Sequence, residues 1–370
     1  MKRILLIIVP LLLCLLVGCA SVRINVIRSS EEKNADTVSV TDKPIEVIPT
    51  TEEDIEINKA LEEPADELPN EEQGERPEEI KPEASSVDVI FFMGQSNMSG
   101  KGGDAKLAPD VLTNAGEEFR AYSNPTKLYP ISEPFGKAED NPNGLRELSE
   151  DGKSGSMVSS FVNEYYELTG HKVIAVSIAA GGVAMDLWNS AFYEDVAARI
   201  ENTLDFVNNN DINVGKYYVV WMQGESDEGR EVSREVYTDE FEKFFGRICE
   251  YGIDEVFVIM HCSGVYSNGY MGITDAQMKL CNDNPKYCLA TTVLRGIGDD
   301  CYEDTIHVNQ HTLNLVGIES AKAAAYYTNT GRKPVIYNYL TEEPYVPEES
   351  SDLTEEMIEK VELSNVNKEY

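Results

Sequence analysis

Five short apolar runs, separated by stretches of helical periodicity, constrain this chain more than any other feature. The runs are Val87–Met93, Lys172–Ser177, Tyr217–Met222, Glu255–His261 and Tyr287–Thr292. They are rich in β-branched and aromatic residues and lack the polar alternation of a half-exposed strand. Strands this uniformly apolar arise when helices cover both faces of a parallel sheet. Helices are expected near Ser156–Leu168, Phe192–Asn208, Arg234–Tyr251, Thr274–Asn282 and Gln310–Tyr327. The alternation predicts an α/β chain, a three-layer α/β/α sandwich with a central parallel sheet of about five strands. Residues 87–328 form the expected domain, and about 240 residues support one substantial core. Residues 102–155, poor in periodicity and rich in Pro, Gly and Asn, are expected to form long loops above the strand ends.

The first run discharges into Gly94-Gln95-Ser96-Asn97-Met98. Glycine permits a sharp turn, and Ser96 then sits just past the carboxyl end of a buried strand, where ligands gather in open α/β sheets. A serine hydroxyl becomes a competent nucleophile when a neighbouring base takes its proton. His307 suits that role, because imidazole titrates near neutrality and the chain has only four histidines. Asp304 lies three residues before it, so one turn can bring both to the same side. A carboxylate there would fix the imidazole tautomer and complete a catalytic triad.

Two further strand ends supply candidate oxyanion donors. Gly181-Gly182 follows the second run, and its small residues let a main-chain N–H approach a pocket. Gln223-Gly224-Glu225-Ser226-Asp227 follows the third, and Gln223 could donate its side-chain amide. Gln95, Asn97, Gly181, Trp188 and Glu225 flank these groups and are expected on the substrate side. Trp188 could equally pack in the core, and Glu225 and Asp227 read as loop-shaping residues rather than a catalytic pair.

These four segments, in this order, resemble the SGNH-hydrolase superfamily with its flavodoxin-like sandwich. More narrowly, they are similar to the carbohydrate esterase branch related to sialate O-acetylesterases and acetylxylan esterases. The resemblance covers roughly Val87 to Tyr327. It implies a serine esterase with Ser96, His307 and Asp304 as triad, an oxyanion hole from Ser96, Gly182 and Gln223, and no cofactor or metal. The wider superfamily carries Gly-x-Asn-Asp in the third block, whose asparagine donates to the oxyanion; Ser226 occupies that position here.

Competing motifs fit less well. Gly94 to Lys101 superficially matches a phosphate-binding loop, but its glycine spacing is one residue too long and Gly102 replaces the Ser/Thr that would hold magnesium. Gly-x-Ser-x-Gly is absent around Ser96. His307 and His311 have helical i,i+4 spacing, yet no Glu follows the first as in zincins. His261 reads as a structural histidine and His171 as a surface one.

Outside the domain, Lys2 and Arg3 precede an apolar stretch through Val17, a signal-peptide pattern. It ends Leu16-Val17-Gly18-Cys19-Ala20, which resembles a bacterial lipobox; residues 1–19 would be the lipoprotein signal peptide, with Cys19 diacylated. The expected location is the extracellular side of the bacterial cytoplasmic membrane, or another cell-envelope membrane, with a lipid anchor. Residues 20–86, rich in Glu, Asp and Pro, are expected to be a disordered acidic linker, and 329–370 an acidic tail. The net charge of -35 argues against nucleic acid as partner and mildly favours neutral or acetyl-masked glycans over polyanions. Five cysteines remain after Cys14 and Cys19, an odd number. Cys281–Cys288 is the best-placed bridge, against a default of unpaired buried thiols.

The expected activity is removal of O-acetyl groups from an acetylated polysaccharide or sialoglycan. A non-catalytic glycan-binding lipoprotein on the same fold and a lipid or acyl esterase are the alternatives.

Overall fold

The computed structural model describes residues 86–139, 153–262, 271–334, 336–337 and 344–345. The signal-peptide, lipidation and linker expectations, Cys19 included, fall outside the described residues.

A seven-stranded sheet forms the centre. Its strands are β1 (Val87–Gly94), β2 (Gly116–Phe119), β3 (Leu128–Pro130), β4 (Lys172–Ala179), β5 (Val214–Met222), β6 (Glu255–Ile259) and β7 (Tyr287–Thr291). Their spatial order is β3-β2-β4-β1-β5-β6-β7. Every pairing is parallel except that of β2 with β3. All five expected strands appear, and the other two arise within the stretch read as long loops. That reading is corrected: β2 and β3 are too short to show a period, and Glu117 and Glu118 hide β2 behind charge.

The helices are α1 (Val158–Thr169), α2 (Met185–Trp188), α3 (Tyr193–Asn209), α4 (Glu225–Glu228), α5 (Arg234–Cys249), α6 (Gly272–Asp283) and α7 (Gln310–Thr330). Alternation along β5 shows the layering. Tyr218 meets Tyr327 of α7 with ring centroids 6.2 Å apart, whereas Trp221 meets Phe245 of α5 at 5.1 Å. Phe92 of β1 packs edge-on against Phe161 of α1 at 5.2 Å. The inner strands bury both faces, so their apolar runs are continuous. Burying such a large apolar side chain contributes about 1.5–3 kcal/mol.

The chain also departs from its expected outline at the C-terminal side. Helix α7 continues to Thr330, and Ile336, in the segment read as acidic tail, is buried in the core. Ile336–Tyr337 and Pro344–Tyr345 pair as a small antiparallel ribbon. The Cys281–Cys288 bridge does not form; Cys249, Cys262, Cys281, Cys288 and Cys301 are all free thiols.

Strands β4, β1, β5, β6 and β7 lie in the doubly wound order in which direction of travel reverses at the first strand. Ligands in such sheets bind outside the carboxyl ends at that reversal, here between β1 and β5. Gly94 ends β1 at φ 149°, and a Cβ there would lie 2.1 Å from the carbonyl oxygen of Met222. Only glycine permits this approach, which lets Gln95 N–H donate to Met222 O at 3.0 Å. On the other side, Ala180 N–H donates to Gly94 O at 2.8 Å. The turns following β4, β1 and β5 therefore leave the sheet side by side.

Candidate active site

Ser96 occupies the turn after β1 and is 4% exposed. His307 arrives from the opposite direction, three residues before α7. Asn309 caps that helix, its side chain accepting Thr312 N–H at 3.0 Å. The cap fixes where the preceding loop meets the sheet. His307 Nε2 lies 3.0 Å from Ser96 Oγ, and its Nδ1 lies 2.7 Å from Asp304 Oδ2. Asp304 Oδ1 accepts the N–H groups of Ile306 at 2.9 Å and His307 at 2.8 Å.

Electrostatics assigns the protons along this line. Partial burial, the largest single influence on Asp304, raises its pKa. The hydrogen bond from His307, the two backbone N–H donors and the charge of the imidazole outweigh it and bring the pKa down to about 2. Asp304 is thus a carboxylate at neutral pH with no proton to give. Nδ1 must then carry the hydrogen that joins it to Asp304, which leaves Nε2 as acceptor for the Ser96 hydroxyl. This is the arrangement that general-base activation of a serine requires.

In the neighbouring turn after β4, Gly182 is solvent-exposed, and a Cβ there would meet nothing within 4 Å. Neither its N–H nor that of Ser96 has an acceptor among the described residues. Both lie on adjacent turns and can donate to a developing oxyanion.

The side-chain donor assignment to Gln223 is corrected. Gln223 is fully buried, and its amide nitrogen donates to Val183 O at 3.1 Å and to Asp227. Its carbonyl oxygen accepts from Tyr237 Oη at 3.1 Å. With both amide hydrogens engaged, it ties the β4 and β5 turns together and offers no free donor. Burial, only partly offset by the Gln223 and Met185 hydrogen bonds, pushes Asp227 up to about 6.

Most of the expected substrate contacts also prove internal. Trp188 is fully buried and packs against Trp221 at 5.2 Å and Phe244 at 5.9 Å. Gln95, 2% exposed, accepts Ser226 N–H at 3.2 Å. Asn97, 1% exposed, donates to Glu225 Oε1 at 2.7 Å. Gly181 is buried beneath Gly182. The Trp188 ring, Gln95 Oε1 and the Asn97 amide thus have partners inside the protein. Only Glu225 remains partly exposed.

The histidines divide clearly. His261 is buried, with Nδ1 3.2 Å from Gln277 Oε1 and Nε2 3.1 Å from Glu228. His311 is exposed on α7. His171 is not a free surface residue, since its Nδ1 lies 2.8 Å from buried Asp88. Gln277 was missed by sequence reasoning. It donates to Gln223 O at 2.7 Å and accepts the His261 backbone N–H, and a mid-helix Gln gives no local signal of such a role.

A protein from Arabidopsis thaliana has a similar fold, at TM-score 0.50 and 17% identity, over 65% of this chain and 98% of that one. NanS matches at TM-score 0.46 and 13% identity, over 67% and 99% of the two chains. A carbohydrate acetylesterase from Xanthomonas citri matches at TM-score 0.44 and 17% identity, over 66% and 57%. No curated protein matches the chain. Residues 86–326, which span β1 through nearly all of α7, match one family along its length. With Ser96, Gly182, Gln223 and His307 all inside that span, the chain belongs to the carbohydrate esterase, sialic acid-specific acetylesterase family.

Proposed function

We propose that the protein is a serine esterase that removes O-acetyl groups from carbohydrate. The unbroken line Asp304–His307–Ser96, closed at 2.7 and 3.0 Å, carries this reading. Ser96 Oγ attacks the acetyl carbonyl while His307 Nε2 takes its proton. The N–H groups of Ser96 and Gly182 hold the oxyanion; losing one such donor typically raises the barrier by about 2.7–4 kcal/mol. The imidazolium returns its proton to the departing sugar oxygen, leaving an acetyl group on Ser96. Water, deprotonated by the same imidazole, then releases acetate and restores the serine.

The test is acetate release from acetylated xylan, acetylated sialosides and peptidoglycan, with an aryl acetate as reference. Ser96→Ala should lower kcat by roughly three to six orders of magnitude. A Ser96→Ala protein retaining near-full rate would exclude this nucleophile.

The same reading anchors the enzyme outside the bacterial cytoplasmic membrane, or in another envelope membrane, through a lipid on Cys19. Its support is the Leu16-Val17-Gly18-Cys19-Ala20 pattern. Cys19→Ser should move the protein out of the membrane fraction or leave it unprocessed; unchanged fractionation with unchanged processing would refute the anchor.

A further inference from the structure

Asn97 follows the nucleophile directly, yet its side chain turns inward and reaches across to the histidine loop. Its Oδ1 accepts the N–H of Val308 at 3.1 Å, and its Nδ2 lies 3.2 Å from the carbonyl oxygen of Ile306. These two backbone groups bracket His307. An amide that pairs with a backbone N–H and C=O in this way imitates a rung of a β ladder and holds the peptide, leaving the imidazole free.

The same Nδ2 donates to Glu225 Oε1 at 2.7 Å, with Cys262 Sγ 3.2 Å away. Cys262 Sγ in turn lies 3.3 Å from Glu225 Oε1 and 3.4 Å from Ile306 O. Side chains from the β1, β5 and β6 ends thus converge on one side of the His307 loop. From the same loop as Asn97, Gly102 also lies close against this segment, at φ 93°. A Cβ there would lie 2.7 Å from Val308 O and 2.9 Å from His307 Cβ. Two parts of the nucleophile's own loop therefore pack against the His307 segment. Ser96 and Asn97 share one rigid peptide unit, so little slack separates the attacking oxygen from the group that grips its base.

The geometry points to Asn97 as a positioning residue that sets the Ser96–His307 separation, with Glu225 orienting its amide. This assignment rests on the serine chemistry proposed above and replaces a substrate contact with an internal one. Misplacing a reacting group by about 1 Å can cost on the order of a hundredfold in rate.

A small alkyl fluorophosphonate tests this, because it carries no sugar to recognise. Ser96 Oγ forms a bond to phosphorus, fluoride leaves, and the serine proton passes to His307. In the full chain, Asn97→Ala should slow this labelling about a hundredfold while KM for an aryl acetate changes by no more than about twofold. Labelling at the wild-type rate with a raised KM would overturn the assignment in favour of substrate binding.

Should Asn97→Ala fail to fold, the near-isosteric Asn97→Asp keeps the acceptor for Val308 but loses the donor to Ile306 and sets a carboxylate against Glu225. It should also label slowly. Adding Glu225→Gln restores that hydrogen bond with reversed polarity and should recover part of the rate; a folded double variant with no recovery removes Glu225 from the device. If wild-type protein is not labelled at Ser96, the esterase reading itself fails. The NMR signal of the His307–Asp304 ring proton then still judges the clamp: its loss in Asn97→Asp supports the role, and its persistence overturns it.

Discussion

Replacing Asp304 with Asn should damage the enzyme more than replacing it with Ala, although Asn is the closer match in shape. Asp304 makes three hydrogen bonds, two from the backbone through Oδ1 and one from the imidazole through Oδ2. In Asp304→Asn the amide oxygen keeps the two backbone donors. The amide NH2 is then turned toward Nδ1, where it too is a donor. The imidazole escapes the conflict by moving its hydrogen to Nε2, which then cannot accept the serine proton. The charge-assisted bond alone is worth about 1.5–3 kcal/mol, roughly 10- to 150-fold in rate. The tautomer conflict adds to this, as in the serine-protease example where the same change costs about 10⁴.

Asp304→Ala behaves differently because the Asp304 side chain is 48% exposed. Water can enter, accept the Nδ1 hydrogen and preserve the working tautomer. The expected order of kcat/KM on an aryl acetate is wild type, then Asp304→Ala, then Asp304→Asn, with the last down by about 10² to 10⁴. Measuring all three at fixed ionic strength across neutral pH decides the matter. An Asn variant within tenfold of wild type, or one more active than Ala, would refute the proton assignment.

Two further predictions concern stability. Gln223→Leu should act on folding, because it removes the side-chain donor to the Val183 carbonyl and one hydrogen bond each from Asp227 and the Tyr237 hydroxyl; a buried polar group left unpaired costs about 1–3 kcal/mol, read as a lower denaturant midpoint. Glu255 is fully buried, and desolvation pushes it up to about 7 against the opposing pull of Lys333, Tyr327 and Lys286. A carboxyl whose folded pKa is raised above its ordinary value of 4.5 holds its proton in the folded state but loses it on unfolding between those two values, so stability should fall as pH rises through that window. Glu255→Gln should flatten this part of the melting-temperature profile and raise the melting temperature at pH near 8; an unchanged profile would exclude Glu255 as the titrating group.

The five inner strands were legible because burial on both faces wrote itself into their composition. The grouping of Ser96, His307 and Asp304 was legible for a related reason: Ser96 and the Asp304–His307 pair each stand beside a strand end or helix start that local chemistry marks. Edge strands β2 and β3 left no such trace. Three- and four-residue strands with a charged pair carry too little pattern to separate from loop. Side-chain roles across strands were the least legible. Gln223 and Asn97 each have a free amide on paper. Which acceptors they meet depends on Asp227 of α4, Val183 after β4 and Ile306 beside the histidine, positions that only the fold brings together. Trp188 illustrates the same limit, since an aromatic residue at a strand exit can face outward or join the cluster with Trp221, as it does.

The contact of Gly94 with the Met222 carbonyl has a consequence for engineering. Position 96 lies beyond the end of the β1 ladder, so exchanging its hydroxyl, for a thiol for instance, leaves the strand pairing untouched. Position 94 permits no such freedom, because any side chain there would wedge the two central strands apart. Libraries seeking new catalysts on this scaffold should therefore diversify residue 96 and the surrounding rim while keeping residue 94 invariant.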